Sequence, residues 1–301
     1  MNWRRNWSGT LAAISLVLVL GNPTTAQAGQ GDSPQDDEIE GLIEEIDGGL
    51  RHETRLQLRI NPLGLSYRGD TAFRIPLWDS DNIVLHGAYF DGGITKALSP
   101  AYAWGGPYIE FLPLAVLNLR VATYFKGYFG TFGHLHVAED GDWSRDARDR
   151  TSDEGLGQAA TGWRLKVQAT PQILIGRVAF SGETSLHRME VDVADPYYEP
   201  SFGLLFEPQE TFFVTNPTLG YIFGSDPSEW YLLLGIRWER TATHKSDVVR
   251  DNIGIVWNTP LSSWLMEWGD PVFAGFFGSR VNHPLRRLLS PYVGMQLTME
   301  F

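Results

Sequence analysis

The 301-residue chain contains no cysteine. This rules out disulfides and a lipid-anchored N-terminal cysteine. Beyond residue 28 no stretch approaches 18 consecutive apolar residues, so no transmembrane helix is expected there. Acids are absent from residues 1–28 and bases from residues 29–47. Overall, 24 Lys and Arg stand against 36 Asp and Glu, a net charge of −12. That balance, with no basic run interleaved with aromatics, excludes a nucleic-acid partner. No nucleotide, redox or metal motif stands out, and no cofactor is expected.

The first residues carry a pattern of their own. Met1-Asn2-Trp3-Arg4-Arg5 precedes an apolar run from Leu11 to Leu20, and Ala26-Gln27-Ala28 follows. A basic start, a short apolar stretch and a small-x-small ending are the parts of a secretory signal peptide. Residues 1–28 are therefore expected to be a cleaved signal peptide, whose loss takes the charge to −14 because Arg4 and Arg5 leave with it. Residues 29–50 are expected to be an acidic leader. Within it Ile39, Leu42, Ile43 and Ile46 mark one face of a short helix, stopped by Gly48 and Gly49. An acidic helix is a poor match for a membrane surface, so it is expected in the periplasm or tucked into the mouth of the following domain.

From about residue 52 the period changes from 3.6 to 2. Leu56, Leu58 and Ile60 alternate with Arg55, Gln57 and Arg59. Tyr67, Thr71, Phe73 and Ile75 oppose Arg68, Asp70 and Arg74. Leu119, Val121 and Phe125 oppose Arg120 and Lys126; Leu165 and Val167 oppose Arg164 and Lys166; Val178 and Phe180 oppose Arg177 and Glu183. Leu234, Ile236 and Trp238 oppose Arg237 and Glu239. Side chains point alternately to the two faces of a strand, so each segment has a greasy face and a charged one. The composition agrees: 11 Trp, 11 Tyr, 16 Phe and 32 Gly accompany a mean hydropathy of only −0.18. An all-β antiparallel transmembrane barrel over 51–301 accounts for this, with one face to lipid and one to a polar lumen. Twelve strands are expected, with ten as the alternative. Three prolines, Pro62, Pro113 and Pro171, stand between alternating runs and are expected in short turns on the periplasmic side. The hydrophilic gaps 130–160 and 188–214 are expected as long loops on the other side. Residues 76–100 fit either one large loop or an irregular hairpin.

The last eleven residues, PYVGMQLTMEF, form a full alternating strand. Val293, Met295, Leu297, Met299 and Phe301 share one face, and Tyr292 opens the other. This resembles the terminal strand of bacterial (Gram-negative) outer-membrane β-barrel proteins. The resemblance implies residence in the outer membrane, contact with its lipid and lipopolysaccharide, and insertion by the barrel assembly machinery. It also implies that Tyr292, Leu297, Met299 and Phe301 carry the assembly signal. The oligomeric state is not legible.

Alternation assigns Arg68, Arg74, Arg120, Lys126, Arg164, Lys166, Arg177, Glu183, Arg237 and Glu239 to the lumen. With Arg55, Arg59, Asp70, Glu110 and Glu300, that face carries ten bases against five acids. Rings of Arg and Lys favour anions in pores; alternatively the charges pair across strands and fill the bore. Trp104, Tyr108, Tyr128, Trp163, Tyr221, Trp230, Tyr231, Trp238, Trp257, Trp264 and Trp268 are expected in aromatic girdles, with sugar-stacking platforms as the alternative. His134 and His136, followed by Glu139, Asp140 and Asp142, have metal-capable chemistry but read as a hydrophilic loop. The His-x-Ser-Asn-Gly pattern of barrel phospholipases and the Asp-x-His of omptin-like proteases are both missing. Three function classes follow: a passive channel or small-solute transporter with a mildly anion-favouring lumen; a structural or surface-interaction barrel with a filled lumen; and a lipid- or polymer-modifying enzyme. The first is the main expectation, with no enzyme activity.

Overall fold

The computed structural model describes residues 48–60, 64–78, 85, 87–131, 158–224, 231–261, 271–282 and 290–301. The signal-peptide and leader-helix expectations, and the pair His134 and His136, lie outside them. Fourteen strands follow in chain order: β1 (Gly49–Ile60), β2 (Gly64–Pro76), β3 (Tyr89–Leu98), β4 (Tyr102–Leu114), β5 (Leu117–Phe129), β6 (Ala159–Ile175), β7 (Val178–Val191), β8 (Tyr197–Glu199), β9 (Leu204–Phe206), β10 (Gln209–Phe223), β11 (Leu232–Thr243), β12 (Val249–Pro260), β13 (Val272–Asn282) and β14 (Ser290–Glu300). There is no helix among the described residues.

Twelve of these strands close into one antiparallel barrel, each paired with its neighbour in the chain except that β7 pairs with β10 and β1 with β14. The seam between β1 and β14 runs from Glu53 opposite Glu300 to Ile60 opposite Val293. Backbone bonds exchanged by His52 and Phe301, at 3.1 and 2.9 Å, finish it. Closure leaves no wall strand with an unpaired edge. Gly49 and Phe301 therefore share one end of the barrel, here the near end. The long connections β5–β6 and β7–β10 both open at the far end.

Alternation sorts the wall into two faces as expected. Outside, Leu50 is 76% exposed, Phe125 68% and Ile94 63%, within a belt that continues through Phe73, Leu219, Ile236, Ile255 and Phe277. Inside are the charged and polar partners. Glycine allows strands to close where a side chain would not fit. A Cβ on Gly106 would stand 2.0 Å from the Thr123 carbonyl oxygen.

Several expectations need correction. The barrel begins at Gly49, because Gly49 and Leu50 already pair with Arg74 and Phe73 of β2; the leader boundary moves from 50 to 48. Residues 76–100 are neither one loop nor a hairpin by themselves. They hold the end of β2, a near-end connection and the wall strand β3, which pairs with both β2 and β4. The prolines do not mark one side. Pro62 lies outside the described residues, although β1 ends and β2 begins at the far end; Pro113 lies near the near-end turn at Ala115, and Pro171 sits inside β6 opposite Leu117. With Pro107 and Pro217 it belongs to wall strands whose pairing with one neighbour skips at that point, which is where a missing N–H is tolerated.

Candidate functional site: the bore and the hairpin across its far mouth

The gap 188–214 is not a solvated loop. β7 runs on to Val191, β10 begins at Gln209, and between them β8 and β9 form a separate two-stranded sheet, Tyr197 opposite Phe206 and Glu199 opposite Leu204. Tyr197, Glu199, Leu204 and Phe206 are 0% exposed. They pack with Ala101, Tyr102, Tyr128, Met189, Val191, Phe212 and Val248, all from the far ends of wall strands or the links beside them. This hairpin lies across the far mouth.

Polar contacts fix it from several sides of the wall. Lys126 of β5 donates to Glu199 Oε1 at 2.6 Å and to Ser201 Oγ at 2.8 Å, and the Tyr128 hydroxyl donates to Glu199 Oε2. Across the barrel, Arg59 of β1 donates to the Ser201 carbonyl at 3.1 Å and Arg250 of β12 to the Phe202 carbonyl. Burial opposes the charge on Glu199. The Lys126 ammonium and hydrogen bonds from Lys126, Tyr128 and Ser201 outweigh it and hold the carboxyl below its usual range. The Phe202 ring lies edge-on to His187 (5.9 Å) and Phe212 (4.7 Å), with the Arg164 guanidinium 5.7 Å from its centre.

Below the hairpin the bases find acids on the wall. Arg74 grips Asp91 through two bonds of 2.8 and 2.7 Å. Asp70 is shared by Arg68 (2.9 Å) and Arg120 (3.0 Å), and Arg120 reaches Glu110 at 3.2 Å. Lys166 meets Glu183 at 2.7 Å, Arg237 meets Glu239 at 4.0 Å, and Arg55 and Arg51 pair with Glu53 and Glu300. This part of the bore is close to charge balance, because Glu53 and Asp91 add acids that alternation alone had not counted. It is also incompletely packed: the Arg237 and Arg55 side chains keep 36% and 31% exposure. Over the opposite half, β12 to β14 turn small residues inward, Gly254, Ala274, Gly278 and Gly294, between the buried side chains of Asn252, Val256, Phe276 and Arg280.

Of the expected lumen residues, all but one face the bore. Arg177 instead occupies the exposed turn between β6 and β7, beside Gly176, whose φ of 59° sets the turn. Of the expected assembly-signal residues, Leu297, Met299 and Phe301 face outward. Tyr292 faces inward, its ring 5.4 Å from Phe276 and 5.7 Å from the Arg280 guanidinium. The aromatic girdles are partly corrected too. Trp163, Tyr221, Trp238 and Trp257 are outward, but Trp104, Tyr108 and Tyr128 have inward parity and stack against Arg164, Arg120 and Lys126. Tyr231 packs at the near end with Leu174 and Ile222, while Trp230, Trp264 and Trp268 lie outside the described residues. Sequence reading missed Arg250, Glu199 and Phe202. The usable signal was Tyr197-Tyr198, Phe202 and Leu204-Leu205-Phe206, too apolar for a solvated loop.

Glu183, Ser185 and His187 stand on the inner face of β7. The Ser185 hydroxyl lies 3.1 Å from Glu183 and 2.9 Å from His187 Nε2. The serine sits between acid and imidazole, so no carboxylate orients His187, whose Nδ1 is buried without a partner. A nucleophile needs the base in the middle.

No protein-family model and no curated protein matches the chain. Among solved structures it is similar to the β domain of the Bordetella autotransporter BrkA, at 10% identity over 84% of this chain and 99% of that one, TM-score 0.43. It is also similar to OmpT expressed in the outer membrane of Vibrio cholerae, at 6% identity over 86% and 100%, TM-score 0.38. For LpxR from Salmonella typhimurium the values are 9% identity, 83% and 99% coverage and TM-score 0.36.

Proposed function

We propose that this chain is an outer-membrane channel for small solutes that is closed at rest by its own hairpin. Its apolar belt suits a hydrocarbon environment, and a closed barrel satisfies every wall strand there. The observation that carries the channel reading is that β8 and β9 belong to a sheet separate from the wall. They are seated by side-chain contacts over a bore whose middle is accessible to water. A stopper of that kind can leave without breaking a wall ladder. The order of Glu183, Ser185 and His187 supports a conduit over a catalyst. The paired charges weaken the simple anion-ring expectation: selection by free cations falls to the far mouth, where Arg59, Arg164 and Arg250 have no carboxylate among the described residues.

The competing reading is a structural barrel filled for good by its ion-pair network. Planar-bilayer conductance separates the two. Replacing residues 196–206 by a short Gly-Ser linker should convert a mostly silent protein into a conducting one with mild anion preference. A linker variant that migrates as a folded, heat-modifiable barrel yet passes no current defeats the channel reading.

A further inference from the structure

The wall of the far mouth supplies cations and withholds acids. Arg59, Lys126, Arg164 and Arg250 converge there. Glu210, a nearby wall acid, is spent on the backbone amides of His244 (3.1 Å), Lys245 (2.8 Å) and Ser246 (3.0 Å). Like charges gathered in a buried layer need a neutralising partner. Among the described residues the one carboxylate these four receive is the hairpin's Glu199 on Lys126; Arg59 and Arg250 donate to the hairpin carbonyl oxygens of Ser201 and Phe202, and Arg250 also to the Thr241 hydroxyl of the wall. Arg164 receives nothing of the kind. It lies against the rings of Tyr124 (4.5 Å), Trp104 (5.6 Å) and Phe202 (5.7 Å), with its Nε buried and unpartnered. Among the described residues one carboxylate thus stands against four cations, and an aromatic ring three residues later fills the space beside it. His187, stacked on Phe212 at 4.5 Å and 2°, makes the back of that space.

We propose that this seat is a binding site for small aromatic carboxylates, and that Glu199 and Phe202 are its built-in occupants. The carboxylate of such a solute replaces that of Glu199 at Lys126 and completes Arg164. Its ring replaces Phe202 between Arg164, His187 and Phe212. Entry of the solute and departure of the hairpin are then one exchange, which names the solute class for the channel reading above and rests on the movable hairpin that reading requires.

The test is calorimetric titration of the full-length protein in detergent with benzoate, using acetate and toluene as controls. Phe202→Ala removes the ring of the internal competitor and leaves only its carboxylate, so benzoate should bind that variant at least tenfold more tightly than it binds the unaltered protein. Adding Arg164→Gln to Phe202→Ala should forfeit at least that gain. Arg164 holds no carboxylate among the described residues, so its loss strands no buried acid there, and heat-modifiable migration verifies folding of each variant. Benzoate binding that Phe202→Ala leaves unchanged or weakens overturns the inference, as does acetate or toluene binding as well as benzoate. A conducting hairpin-less barrel whose Phe202→Ala counterpart ignores benzoate leaves the channel standing and removes the ligand. A silent hairpin-less barrel removes the channel whatever the titration shows.

Discussion

Glu199 is the residue on which the closed mouth depends most. Its carboxylate is fully buried and answers a lysine buried beside it. Removing one member of such a pair strands the other, at a cost of about 3–5 kcal/mol, whereas replacing both with apolar groups can be neutral. Glu199→Ala should therefore expose the hairpin to limited proteolysis, and combining Glu199→Leu with Lys126→Met should restore protection. An equally protected single variant would show that packing alone seats the hairpin. The pH response follows from the direction of the shift. A carboxyl depressed in the folded state stabilises fully above its unfolded pKa, about 4.3 for Glu, and the contribution fades as pH falls through the lower folded value. Protease protection of the hairpin should persist down to about pH 5 and disappear only in stronger acid; loss near neutrality would implicate another group. At this scale the sequence was only half legible. Parity alone placed Arg120 in the bore, but not the hold of Asp70 and Glu110 on it, which neutralises its charge. Arg164 escaped that fate because its neighbours are rings.

At the scale of elements, periodic strands were readable and everything depending on pairing across the chain was not. β1, β2, β5 and β14 announce themselves by alternation. β12 does not, because Arg250 and Asp251 put charge on both faces; Asp251 is outward and reaches Arg240 of β11 at 3.6 Å. β8 and β9 are three residues each, too short to show a period, and only their apolar content betrays an inward fold. The same limit hid Glu210, which binds the β11–β12 turn to the start of β10 through three backbone amides and the Ser246 hydroxyl. Hydrogen bonds to a charged group contribute about 1.5–3 kcal/mol each when the donors are otherwise stranded. Glu210→Ala should accordingly lower the thermal midpoint of gel-monitored unfolding and loosen that turn, with a loss of about 3 kcal/mol; an unchanged midpoint would mean water replaces the carboxylate without penalty.

For the whole molecule, the seam decides whether a sheet becomes a barrel. Phe301 ends it, bonded to His52 through the backbone and with its ring 59% exposed on the outer face. Because the backbone bonds survive any side-chain change, Phe301→Ala should reduce the amount of barrel inserted in outer membranes while leaving the unfolding temperature of the inserted fraction nearly unchanged. A large drop in that temperature would make the ring a structural element of the seam rather than an assembly mark. Closure, strand number and the division into greasy exterior and charged interior were all readable beforehand. They depend on local rhythm, which the chain carries throughout, whereas the state of the mouth depends on one excursion between β7 and β10.

That excursion is tied down unevenly. Residues 192–196 lead into β8, but only Glu207 and Pro208 join β9 to β10. Five residues reach roughly 17 Å when extended, whereas two reach about 7 Å, and proline stiffens the shorter arm. In the channel proposed above, a stopper on such a leash would swing like a door hung on the β10 side. The gap it would leave opens away from that hinge, and a solute would then arrive along one flank of the ring instead of down its axis.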